Sequence, residues 1–160
     1  MRTDADRPPA TPPGPDPTPT RMSSARRSIH APVLWGLVFG VINAASPLAL
    51  RWLDQATVLA LVLTLIAAVY IGFAVADGRP RILAVETAVA AVFVVLACAA
   101  MTATPWILVA GYAGHGIKDY WQHRRQFVAG TRWWPPFCAT VDWLVAGVLG
   151  VEIVAGVAFR

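Results

Sequence analysis

Charge is scarce in this sequence, and lysine is almost absent from it. Of the 160 residues, 14% are charged and 57% are hydrophobic, whereas soluble domains carry about 25% charged residues. No charge interrupts positions 58–76, and between 82 and 106 there is only Glu86. That pattern excludes an ordinary soluble domain, because about 20 apolar residues suffice to cross a hydrocarbon core ~30 Å thick. Lys118 is the one lysine among thirteen basic residues, a bias that, with heavy use of Ala, Val and Pro, points to a GC-rich bacterial source. Cysteine is nearly missing too. Cys98 and Cys138 fall at different depths in the arrangement set out below, and a disulfide needs Cα atoms within about 7 Å. Both are expected to be free thiols.

The net charge of +4 does not indicate nucleic acid as a partner. A nucleic-acid binder gathers its basic residues on a soluble face, whereas these flank apolar segments. The partner implied is the lipid bilayer.

Residues 1–28 stand apart. The run from Arg7 to Thr20 is dense in proline, which lacks the amide donor and clashes with the preceding helical turn. With little to bury, this segment reads as a disordered, Pro-rich cytoplasmic tail of polyproline II character, ahead of a transmembrane domain at 29–160. Arg26-Arg27 before an apolar stretch matches a twin-arginine signal superficially. Four further apolar stretches follow, however, and arginines beside a span need no such explanation.

The expected fold is an all-α polytopic bundle with five transmembrane helices at about 31–50, 58–76, 82–103, 105–121 and 137–159. Pro105 opens its helix, where a missing donor costs nothing. Pro47 is expected to kink or fray the outer end of the first span, with Asn43 and Ser46 satisfying the freed backbone groups. Alternate placement of the connections puts eleven basic residues on one side and only Arg51 and Arg160 on the other. By the positive-inside rule the N-terminus is cytoplasmic and the C-terminus outside, in the bacterial inner membrane. Trp35, Trp121, Trp133 and Trp134 then fall at cytoplasmic ends, and Trp52 and Trp106 at outer ends, as interfacial indoles do.

Against this apolar background the polar residues stand out. Glu86 lies ~6 Å into its span, His115 ~9 Å and Asp142 ~8 Å, all from the cytoplasmic side at 1.5 Å per residue. Steps of four place His115, Asp119 and His123 on one helix face with Tyr112 on the same stripe, and Cys138 with Asp142 on another. Ionisable groups facing lipid are costly, so they should turn inward and pair. The expected cluster is Glu86, His115, Asp119 and Asp142, with Lys118 available as a partner and His123 and His30 at the rim.

Three readings of that cluster compete. In the first, His115 or Lys118 pairs with Asp142 or Glu86 and locks the helices together, making a non-enzymatic protein whose polar centre organises the bundle. In the second, His115, Asp119, His123 and Asp142 are candidate ligands of one divalent metal, zinc foremost, and Asp142 or Glu86 is a catalytic base. That would be a metal-assisted membrane hydrolase or isomerase on a lipid-like substrate. The third is a small proton- or ion-coupled transporter. Haem fits poorly, since His115 and His123 project from one face.

The pattern His115-x3-Asp119-x3-His123, a proline-containing turn, then Cys138-x3-Asp142 resembles small bacterial integral membrane proteins of unknown function. The resemblance covers mainly residues 111–147. It implies a polytopic membrane fold and places His115, Asp119, His123, Cys138 and Asp142 in the signature, without supplying an activity. Two departures bear on mechanism: Gln122-His123 stands where such proteins tend to carry a histidine pair, and Lys118 where a large apolar residue is usual.

Other features have ordinary explanations beside sharper ones. The 131–137 stretch, rich in Trp and Pro, is either a lid over the cluster, with Arg124, Arg125 and Arg132 binding phosphate, or an interfacial anchor. Gly36-x3-Gly40-x3-Ala44 marks close helix contact, within the chain or in a homo-oligomer. Gly111, Gly114 and Gly116 would let a neighbouring backbone approach. Glu152 is an outlier, with Asn43, Ser46 or another subunit as possible partners.

Overall fold

The computed structural model describes residues 20–50 and 52–156, with side chains from His30 onward apart from Pro47. Five α-helices and no strand make up these residues: α1 (Thr20–Ala49), α2 (Gln55–Asp77), α3 (Pro80–Thr102), α4 (Trp106–Arg125) and α5 (Trp134–Val154). By length and composition α2, α3 and α5 are suited to cross a membrane, and α1 adds a shorter apolar stretch, His30–Ser46. Helix α4 carries His115, Lys118, Asp119, His123, Arg124 and Arg125, and so falls below that standard.

Local chemistry explains the boundaries. Asp54 caps α2 by accepting from the Thr57 amide at 2.8 Å, and Gly78, at φ 78°, closes the same helix in the left-handed conformation that glycine adopts without steric cost. Pro80 opens α3 and Pro105 precedes the first residue of α4, positions where no amide donor is missed. Helix α5 starts at Trp134, three residues before the expected 137, so Pro135 and Pro136 lie inside its first turn and not ahead of it. The first turn of a helix has no carbonyl to receive its amides, so the prolines fit there. Helix α4 likewise runs one turn past residue 121, to Arg125.

The expected tail lies outside the described residues for 1–19, while α1 begins at Thr20, directly after the last proline of the N-terminal run. Near the other end of α1, Ser46 Oγ donates to the Asn43 carbonyl at 2.7 Å. That carbonyl is the one an amide at position 47 would bond in a regular helix. The Asn43 side chain turns back to the Phe39 carbonyl at 2.8 Å.

Helix α5 is the spine, flanked by α4 on one side and α1 on the other, while α2 and α3 form a hairpin laid chiefly against α4. Gly36 and Gly40 are where α1 meets α5. A Cβ at Gly36 would stand 2.7 Å from the Phe137 carbonyl oxygen and from Thr140 Cβ, and one at Gly40 would press on Leu144. The small-residue stripe is thus a contact within this chain. On α4 the glycines seat side chains, not a backbone: Gly111 accommodates Leu63 and Gly116 the Trp143 indole, while Gly114 faces nothing within 4 Å.

The two ends of the bundle are clasped. At the end bearing Arg79, Arg81, Arg124, Arg125 and Arg132, Asp77 holds the Arg79 guanidinium at 2.5 and 2.7 Å and accepts the Ala129 amide at 2.7 Å. Arg79 also donates to the Phe127 carbonyl at 2.9 Å. The connection between α4 and α5 is tied in this way onto the turn between α2 and α3, and its Val128 packs on Ala74 and Ile82. At the opposite end Gln55 Nε2 donates to Glu152 at 3.1 Å. That resolves the outlier differently from expectation: the partner is the first residue of α2, since α2 and α5 bring their opposite termini together.

Candidate functional site

The interior seam of α4 runs Leu108, Gly111, Tyr112, His115, Gly116, Asp119, Gln122. Alternating steps of three and four keep such a seam straight, whereas two successive steps of four drift by about 80°. His123 is carried off the seam by that drift and is only partly buried; Gln122 takes the inward position. The fully four-spaced stripe expected for this helix is corrected accordingly.

The ionisable residues divide into two groups, not one. In the first, Lys118 Nζ lies 2.8 Å from Glu86 Oε2, and Gln122 Nε2 donates to the other Glu86 oxygen. This joins α4 to α3. Lys118 also sits 3.6 Å above the Tyr70 ring centre, a cation–π contact that desolvation strengthens.

The second group joins α4 to α5. His115 Nδ1 is 2.8 Å from Asp142 Oδ2 and 3.4 Å from Asp119 Oδ2, and all three side chains are 0% exposed. One ligand-type atom from each lies within 4.8 Å of those of the other two. The imidazole is held in place by rings on other helices: Phe93 of α3, edge-on at 4.8 Å between centroids, and Tyr70 of α2 at 5.8 Å. Neither Asp119 oxygen receives a hydrogen bond in good geometry, and Asp142 Oδ1 and His115 Nε2 also have none. The Tyr70 hydroxyl lies beside Asp119.

Of the other expected members, Tyr112 is buried but points elsewhere, its hydroxyl donating to the Leu59 carbonyl at 2.8 Å. His30 is exposed. Cys138 is buried and Cys98 exposed, both as free thiols. Tyr70, Phe93 and Gln122 complete the site without having been anticipated. Gln122 could have been found from the seam's period; Tyr70 and Phe93 sit in uninterrupted apolar runs, where nothing local distinguishes them.

Beside this centre, α1, α2 and α5 enclose a groove of about 520 Å³. Its walls are apolar, with Trp35, Phe39, Trp133, Trp134 and Phe137 at one end, and Cys138 in its lining. Trp133 and Phe137 stack at 5.1 Å, and Phe39 meets Phe137 edge-on at 5.6 Å. The 131–137 stretch therefore packs as an aromatic cluster at the groove's end. No protein-family model matches this chain, and neither a curated protein nor a solved structure matches it.

Proposed function

We propose that this chain is a five-span protein of the bacterial cell membrane, N-terminus inside, whose buried polar centre serves to hold α3, α4 and α5 in register. The observation that carries this is the sealing of His115, Asp119 and Asp142 at 0% exposure, while the His115–Asp142 pair links α4 to α5 and the Lys118–Glu86 pair links α4 to α3. A group that must meet a diffusing substrate needs a face open to it. A group that fixes helix against helix does not, and in lipid the absence of water keeps such pairs together. The five-span reading is supported by the shared location of Arg79, Arg81, Arg124, Arg125 and Arg132 at one end, which the positive-inside rule places in the cytoplasm.

The test is unfolding of the purified protein in detergent. Asp142→Ala, which breaks the buried His115–Asp142 pair between α4 and α5, is expected to cost about 3–5 kcal/mol. A variant with apolar residues of similar size at 115, 119 and 142 should recover most of that loss. Asp142→Ala unfolding together with the native protein would sink the reading.

A second reading has one observation in its favour. The groove reaches Cys138, one helical turn before Asp142, and would bring a lipid-like chain close to the centre. A metal-assisted hydrolase or isomerase would use that approach. Under it, Asp142→Asn keeps the fold and abolishes turnover of a lipid substrate.

A further inference from the structure

The two polar groups differ in their charge balance. Glu86 is matched by Lys118 at 2.8 Å, which leaves that pair neutral. His115 has two carboxylates against it, and among the described residues no other cation comes within 4.0 Å of either. With the imidazole neutral and both carboxylates ionised the group carries two negative charges in the interior, a state that burial penalises by several kcal/mol per ion.

We infer that His115, Asp119 and Asp142 bind one divalent transition-metal ion, zinc being the best match. This rests on the reading of the centre as a helix lock and adds the component that completes it. A divalent cation makes the three residues electrically neutral. The donor set, one imidazole and two carboxylates, is of the kind zinc accepts. Ligands bonded at about 2.0–2.1 Å in a tetrahedron stand roughly 3.4 Å from one another. His115 Nδ1 and Asp119 Oδ2 are already at 3.4 Å, and Asp142 Oδ2, at 2.8 Å from the same nitrogen, needs only a small displacement. Asp119 is the independent pointer: fully buried, aimed at the histidine, and without a hydrogen bond in good geometry on either oxygen. The Tyr70 hydroxyl, beside Asp119 and itself without a hydrogen bond in good geometry, is placed to orient that carboxylate once it ligates.

The rival is a shared proton, with His115 charged, Asp142 ionised and Asp119 protonated, which also sums to zero. The two separate at Asp119→Asn, which imitates the protonated acid but removes a metal ligand. The experiment is metal analysis of the full chain purified in detergent, followed by melting with a strong chelator and after zinc is returned.

The expected result is about one zinc per chain, a Tm lowered by about 5–10 °C on chelation and restored by zinc, and no metal and no response in Asp119→Asn. Absence of metal, with zinc leaving Tm unchanged and Asp119→Asn melting at or above the native value, overturns the inference in favour of the proton. Equal zinc in native protein and variant marks an adventitious ion and overturns it as well. Should the variant not fold, chelation of the native chain decides alone. The lock reading fails separately, if Asp142→Ala melts with the native protein whatever the metal content.

Discussion

The Glu86–Lys118–Gln122 group and the His115–Asp119–Asp142 group are built from neighbouring residues of α4, one completed from α3 and the other from α5, yet they solve the problem of buried charge differently. The first matches an acid with a base across α3 and α4, adds an amide donor, and caps the ammonium with the Tyr70 ring. Its charges cancel, although Gln122 Oε1 is buried without a hydrogen bond. The second sets two acids against one imidazole and leaves Asp119 without a hydrogen bond in good geometry. Residue type alone does not distinguish the two groups; what distinguishes them is whether the charges cancel. A balanced buried pair is explained by packing, whereas an unbalanced one calls for a proton or an ion.

This contrast can be sharpened at Glu86. Glu86→Ala strands Lys118 in the interior and should cost about 3–5 kcal/mol, while Glu86→Leu with Lys118→Met should be neutral or better, as apolar replacement of a buried pair commonly is. Denaturation in detergent measures both. If the double variant is as unstable as the single, the pair is not the self-sufficient member of the comparison.

A smaller effect separates helix packing from both polar groups. Gly36→Ala forces a methyl group against the Phe137 carbonyl and Thr140 and should cost about 1–3 kcal/mol. Gly114→Ala meets nothing within 4 Å and should stabilise α4 by up to about 1 kcal/mol. Equal melting temperatures for the two would show that α1 does not press on α5 as closely as described.

The smallest effect is expected at His123. Lying off the seam, it should tolerate His123→Ala within about 0.5 kcal/mol. It should also leave zinc content unchanged, whereas Asp119→Asn abolishes it. A large loss of either stability or metal would place His123 in the second group after all.

The helices were legible in the sequence because apolar runs, capping residues and prolines are local signals. Asp54, Gly78, Pro80 and Pro105 each mark a boundary within a residue or two. The company kept by His115 was legible in part, since spacing along one helix sets which residues share a face; His115 and Asp119 do share one. Spacing says nothing about which residues of a second helix arrive opposite, so Tyr70 and Phe93 went unseen, and the pairings of Lys118 with Glu86 and His115 with Asp142 were legible only as two among several combinations. His123 shows a subtler limit. A repeat of four looks regular on paper, but a helix of 3.6 residues per turn carries it away from the interior within two steps. Glu152 found Gln55 because α2 and α5 bring opposite termini together, a matter of topology that no window of sequence contains.

The split of partners around α4 also sets an order of events during synthesis. Glu86 precedes Lys118 in the chain, so the acid is already in place when its base emerges. His115 must wait for Asp142, 27 residues later. At about 5–20 residues per second that interval lasts roughly 1–5 s. Under the five-span reading, α4 spends those seconds with an imidazole and a carboxylate facing a medium that repels them, and it settles only when α5 arrives. On that reading the fourth and fifth helices are expected to enter the membrane as one unit, and a chain truncated before Asp142 to leave its fourth helix at the surface.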